Sequence, residues 1–419
     1  LKAESSNPPG SDCLDQQVRP GKQECAGKRK GEAMETSVLI DTASAAMPAP
    51  LWFIQFFKWL GFTLHVVPMN LWYAGLLVGL WLHAGGNPHA RRFAGRLLQQ
   101  MPVIIAMGVN LGIVPLLFVQ LAYHQVFYPA TILMAWFWMG IIGLLIPAYY
   151  GVYAYADQLR KPGGHSAWRT AAGWCAAAFF ILIGFTFVNG LSLMDHVGRW
   201  PELWKNHSEA GAALGTALNV GDPTLWPRWL MMFGLALGTT AVWLLVDVFF
   251  LTRYGMPAVR SSNAAKPTSD DAYREWAVSF AKKLYTLSLV WTVAAGTWYV
   301  FGTWSPELVE RMFAWPMAVL TLATAAAVGL PWLLTMAAGR CGWSRWTVAA
   351  IASAQFGVLG INAFSRQIVQ NINLEPFLDV YALQTDVQWS PLILFLITFV
   401  LGLAVVFWML AQVAKCKPA

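Results

Sequence analysis

His65 is the residue in this chain whose type and setting most clearly invite chemistry. It stands in the middle of Leu51 to Leu82, LWFIQFFKWLGFTLHVVPMNLWYAGLLVGLWL, an almost unbroken apolar run. At about 1.5 Å rise per residue, such a run crosses a hydrocarbon core of roughly 30 Å. An ionisable residue inside a span points to function by default, and neutral imidazole is a common metal ligand. Axial haem ligation suits the apolar setting. Pro68 and Gly75 close behind leave small surfaces on which a flat cofactor can lie. The plainer alternative is as open: a core histidine bonded to a neighbouring helix or lining a polar cavity. In either case the carbonyl of Leu64, which loses its helical partner because Pro68 has no N–H, is a candidate acceptor for the ring.

The other reactive types read more plainly. His124, in LAYHQVFY, is expected at a helix turn. His83, His89, His165, His196 and His207 fall at span ends or in a loop and are assigned to solvent or lipid headgroups. Asp247, in WLLVDVFF, lies near the end of its span, where snorkelling or pairing with Arg253 is expected over a proton relay. Asn189 reads as an interhelical hydrogen-bonding residue. The five cysteines, Cys13, Cys25, Cys175, Cys341 and Cys416, form no C-x-x-C or C-x-x-C-H arrangement. Structural zinc, iron–sulfur ligation and covalent c-type haem are therefore unsupported. No hydrolase constellation, phosphate loop or paired carboxylates occur.

The elements that must position these residues are transmembrane helices. Of 419 residues, 57% are hydrophobic and 12% charged, whereas charged residues make up about a quarter of a soluble domain. The 23 tryptophans suit interfacial belts and helix packing. The net charge of +7 implies no nucleic-acid partner, because in a membrane protein the placement of basic residues matters more than their sum. Nine spans are expected, at about 51–82, 97–124, 128–157, 167–194, 227–252, 275–303, 312–338, 343–366 and 389–414. The short link around Phe127–Pro129 makes the second and third antiparallel neighbours. Residues 1–50 read as a disordered tail; a translation start at Met34 and a genuine tail are both open. No signal-peptide pattern precedes the first span. The fold class is thus an all-α polytopic bundle: a five-helix part over 51–255, a cytoplasmic linker over 256–274 and a four-helix part over 275–419. No internal repeat is evident, which weakens an inverted-repeat transporter reading.

Several stretches together resemble subunit I of the cytochrome bd quinol oxidase superfamily. LHVVPMNLWYAGLL resembles its first helix, where a histidine ligates an active-site haem. GVNLGIVPLLFVQLAYHQ resembles its glycine-rich second helix. FFILIGFTFVNGLSLMDHVG resembles its fourth, matching at Phe180, Ile181, Leu182, Asn189 and Met194. Arg366–Gln367 falls where the family has a Gly-Arg-Gln turn. The resemblance covers 51–255 well and the remainder weakly. It implies a multi-pass protein of a bacterial or archaeal inner membrane, with lipid around it, a b-type or related haem on His65, and partner subunits including c-type cytochromes. The family's histidine ligand in the fifth helix is replaced by Met231, with Met232 equally placed, and its methionine ligand in the seventh has a counterpart in Met317. The two family glutamates fall near Leu116 and Ala363, and the quinol-binding loop shrinks to Thr303–Arg311. Oxygen reduction by this chain alone is therefore not expected, since bound oxygen needs proton-carrying groups beside the metal. The resemblance implies a divergent, non-quinol member.

Three readings follow: a membrane redox subunit holding haem on His65, a haem-free structural subunit of a membrane complex, and a transporter or channel. For topology, sixteen basic residues lie on one side of the spans against six on the other after Met34. That asymmetry predicts an outer N-terminus and a cytoplasmic C-terminus. Reporter fusions after Arg169 and within 200–220 should report opposite sides; the same side for both would refute it.

Overall fold

The computed structural model describes residues 46–161, 166–251 and 270–415. The tail before residue 46, most of the expected linker, Arg253, His165, Cys13, Cys25 and Cys416 lie outside the described residues. The chain is almost entirely helical. In order it forms α1 (Leu51–Ala84), α2 (Pro88–Leu133), α3 (Ala135–Arg160), α4 (Ala167–Asp195), α5 (Trp200–Asn206), α6 (Leu225–Leu251), α7 (Asp270–Thr303), α8 (Pro306–Phe313), α9 (Met317–Ala327), α10 (Leu330–Cys341), α11 (Arg345–Leu374) and α12 (Trp389–Lys415). The strands among the described residues are a two-residue pair, β1 (Ser208–Glu209) and β2 (Ala212–Ala213).

Seven of these helices are long and apolar enough to cross a membrane, or eight if α8 and α9, which meet at 90°, count as one broken span. The chain is a helical membrane protein. The expected seventh span is not one helix: Pro316 and the Gly329–Pro331 segment divide it into α9 and α10, as expected where proline removes an N–H and crowds the preceding turn. The expected break near Pro129 also shifts. Helix α2 carries its non-helical residue at Tyr123 and continues through Pro129 to Leu133. Antiparallel packing of α2 and α3 holds: Arg160, at the end of α3, donates to the carbonyl of Gln99 near the start of α2 at 3.0 Å.

Small residues set the closest helix approaches. A Cβ on Gly61 of α1 would stand 2.8 Å from Val114 Cγ1 of α2, so only a hydrogen fits. Within α1, Leu71–Gly75 forms a single π turn three residues after Pro68; such bulges take up a local mismatch in the hydrogen-bond ladder. Across the middle of the bundle, Asn70 Nδ2 of α1 and Gln355 Nε2 of α11 both donate to Thr239 Oγ1 of α6, and Tyr285 of α7 donates to Gln355 Oε1. Four helices are thus tied by side chains that would otherwise be unsatisfied in lipid.

At the end of the bundle away from the 196–224 loop, Asp247 is paired with Arg96 of α2. Arg96 Nε lies 3.0 Å from both carboxylate oxygens and Tyr273 donates to Oδ2 at 3.1 Å. Both side chains are almost fully buried, so Asp247 does not snorkel. We expect Arg96→Met alone to destabilise the protein by about 3–5 kcal/mol, because it strands a buried charge, and the Arg96→Met/Asp247→Leu pair to recover much of that loss. Denaturant unfolding in mixed micelles measures both.

Candidate functional site

His65 sits on α1 with its ring turned onto α2. Its Nδ1 lies 2.7 Å from the carbonyl oxygen of Gly108, not that of Leu64. A carbonyl can only accept, so Nδ1 carries the proton and the lone pair resides on Nε2. Two glycines one turn apart on α2 make this possible. A Cβ on Gly112 would lie 2.7 Å from His65 Cε1, and one on Gly108 would lie 2.0 Å from Trp72 Cζ3. The rings of His65 and Trp72 meet edge to face with centroids 5.7 Å apart. The glycine notch is therefore filled by these two side chains.

A haem on His65 would need a flat cavity against neighbouring helices, and the ring itself meets α2. Trp136 of α3 and Phe364 of α11, bulky residues that could fill such a cavity, are both exposed. Nε2 makes no hydrogen bond with the described residues. Leu64 and Ile113 nearby in sequence to the contact are exposed as well. The donor chemistry thus fits an iron ligand: a fixed tautomer, a second nitrogen held by a carbonyl, and an available lone pair. A macrocycle bound there would lie along the wall of the bundle, since the notch itself is taken by the imidazole and indole.

Met231 of α6 has its sulfur 3.7 Å from where a Cβ on Gly296 of α7 would stand. Met317 is the first residue of α9, and its carbonyl accepts from Thr321 Oγ1. Helices α6 and α9 do not pack closely along one another among the described residues.

A larger polar site lies at the loop end, built by residues whose roles were not anticipated. Asp195, the last residue of α4, accepts from Arg228 Nη1 of α6 at 2.6 Å and from Gln370 Nε2 of α11 at 3.0 Å. Gln370 Oε1 accepts from Lys58 of α1 at 2.8 Å. The Lys58 ammonium also lies 3.9 Å from the centre of the Tyr123 ring, a cation–π contact. Asp222 in the loop accepts from the Thr224 N–H and hydroxyl, both at 2.8 Å, and from the Ser192 hydroxyl. His196 Nδ1 lies 3.3 Å from Asp222 Oδ2 and 3.1 Å from the Ser192 carbonyl. His196 is therefore a network residue and not simply a solvent-facing one. Asn189 bonds within α4 and, through Oδ1, to the N–H of Asn219 in the loop, so it ties helix to loop and not helix to helix. A clue was available: Lys58 shares the apolar run of His65, and Asp195, Arg228 and Arg366 stand at the same-side ends of three other spans.

Among the described residues, no group of three or more His, Cys, Asp or Glu is placed to hold a metal ion. Neither a known family model nor a curated protein sequence matches the chain.

The His65 notch yields a direct test. Gly112→Ala places a methyl against the imidazole and should destabilise the protein by about 1–3 kcal/mol, the usual cost of overpacking. Gly357→Ala, on α11 with nothing within 4 Å of its Cβ position, should be neutral or slightly stabilising. Thermal unfolding in detergent distinguishes the two.

Proposed function

We propose that this chain is an integral-membrane subunit of an electron-transfer complex, cytochrome bd-like in its helical scaffold, with His65 as the ligand of a haem. One observation carries the reading. The imidazole is held through Nδ1 by the Gly108 carbonyl at 2.7 Å, which presents Nε2 with its lone pair uncommitted. Ligating histidines ordinarily have that arrangement. The haem would supply one-electron exchange, with partner cytochromes as donors or acceptors. The chain's own part is to fix the ring, keep Nδ1 protonated and surround the site with apolar helix faces. The sequence resemblance across 51–255 supports the same reading. With it go nine spans, an outer N-terminus, a cytoplasmic C-terminus and a bacterial or archaeal inner membrane. Met231 and Met317 remain the candidates for a second haem.

A second reading has its own observation. The His65 ring fills the notch at Gly112 and packs against Trp72, as a core histidine would. On that reading the chain is a haem-free structural subunit.

The two separate in one experiment. The protein is purified from its native membrane and its visible spectrum recorded. His65→Ala should remove one haem signal while membrane insertion and the remaining partners persist. Unchanged haem content in that variant, or a wild-type protein without a Soret band, would reject the ligand role and leave the structural subunit.

A further inference from the structure

Four cationic groups gather at the loop end of the bundle, and their hydrogen-bonding capacity is not used up. Lys58, Arg199, Arg228 and Arg366 surround two carboxylates, Asp195 and Asp222. Both carboxylates are already committed. Asp195 takes one donor on each oxygen, and Asp222 takes the Thr224 amide on one oxygen and two hydroxyls on the other. The cations are not. Arg228 is about nine-tenths buried, yet its Nε and Nη2 make no hydrogen bond, and Nη2 stands 3.7 Å from Asp222. Arg366 makes no hydrogen bond or ion pair with the described residues and lies against the Phe62 ring at 5.1 Å. Arg199 likewise has no such partner among them and rests over Gly221.

Beside these groups is a cavity of about 340 Å³. Asp195, His196, Arg199 and Asp222 border it on the α4 and loop side, Tyr299 and Trp304 on the α7 side, and Asn373 at the end of α11. The Trp304 indole N–H is buried with no acceptor. Beyond the two carboxylates, whose oxygens already accept hydrogen bonds, the cavity offers a guanidinium, an indole N–H, a phenol and an amide, with Arg228, Arg366 and Lys58 close by. Unpartnered buried donors are costly, and each calls for an acceptor. A cation would compete with Arg228, Gln370, Ser192 and Thr224 for the two carboxylates, and among the described residues no three metal-ligating side chains are assembled. An apolar ligand would leave the donors unsatisfied. An oxyanion satisfies them and offsets the excess positive charge, and guanidinium forks suit its geometry.

We propose that this cavity binds an oxyanion of carboxylate or phosphate type, with Arg199 and Trp304 in direct contact and Arg228, Arg366 and Lys58 supplying the field. The anion has two sources, a free solute or the phosphate of a lipid headgroup at the membrane surface. The site does not depend on haem at His65, which lies on the α2 side of α1, whereas the cavity is bordered by the loop, α7 and α11.

The test uses the full chain in dodecyl maltoside micelles, whose headgroups carry no phosphate. Inorganic phosphate and acetate are titrated by calorimetry against chloride at equal ionic strength. Saturable binding with Kd at or below about 1 mM is expected for a free anion. Arg199→Gln should weaken it by about tenfold or more, the usual loss for a hydrogen bond to a charged group, and Trp304→Phe should weaken it by a smaller factor. Arg199 makes no hydrogen bond with the described residues, so the unfolding temperature without anion should be unchanged by its substitution. The second arm adds phosphatidylglycerol to the micelles with no added phosphate. A rise in unfolding temperature there, lost in Arg199→Gln, assigns the headgroup as the source. Absence of response in both arms overturns the proposal, as does a response that Arg199→Gln and Trp304→Phe leave unchanged.

Discussion

Asp195 closes the loop end of the bundle. One carboxylate receives Arg228 from α6 and Gln370 from α11, and Gln370 passes the connection to Lys58 on α1. Four spans, α1, α4, α6 and α11, therefore meet through a single buried anion. Helices in lipid gain little from hydrophobic burial against one another, so packing and polar ties must specify which helix lies beside which. Here the tie is charged, and its removal would leave the buried Arg228 with only Asp222, 3.7 Å away, as counter-charge. The Asp222 centre extends the same logic to the loop, fastening residues 219–224 onto α4 through Ser192 and Asn189.

The middle of the bundle is held differently. Thr239 receives amide donors from α1 and α11, and no formal charge is involved. Its hydroxyl also donates back to the carbonyl of Leu235, so the threonine is saturated where water cannot reach. Around it the glycines of α6 allow close approach to α7: a Cβ on Gly234 would meet Thr292 Oγ1 at 2.5 Å and one on Gly238 would meet Ser288 Oγ at 2.7 Å. Polar ties and small residues work together, because a bulky residue at either glycine would separate the helices and break the hydrogen bonds beside them.

Much of the fold is legible in the sequence because the bilayer imposes so few choices. A long apolar run has to be a helix, and α1, α4, α6 and α7 begin and end close to the limits of their runs. Breaks were harder to place. Prolines signal a possible break, but Pro129 is accommodated within α2 while Pro316 divides two helices. His65 was visible because a histidine in a span is rare; its acceptor was not, because Gly108 is remote in sequence and the ring's direction depends on how α1 and α2 meet. The charged network was missed for a related reason. Lys58, Asp195, Arg228 and Gln370 each look like an ordinary interfacial residue, and only the assembled bundle brings them together.

The pairing of Arg96 with Asp247 also has a meaning in time. The partners are separated by 151 residues, so at roughly 5–20 residues per second the acidic partner emerges on the order of ten seconds after the basic one. During that interval α2 carries an arginine with no carboxylate to receive it. Its final position in the membrane must wait for α6, and insertion of the second span is completed by the synthesis of a much later one.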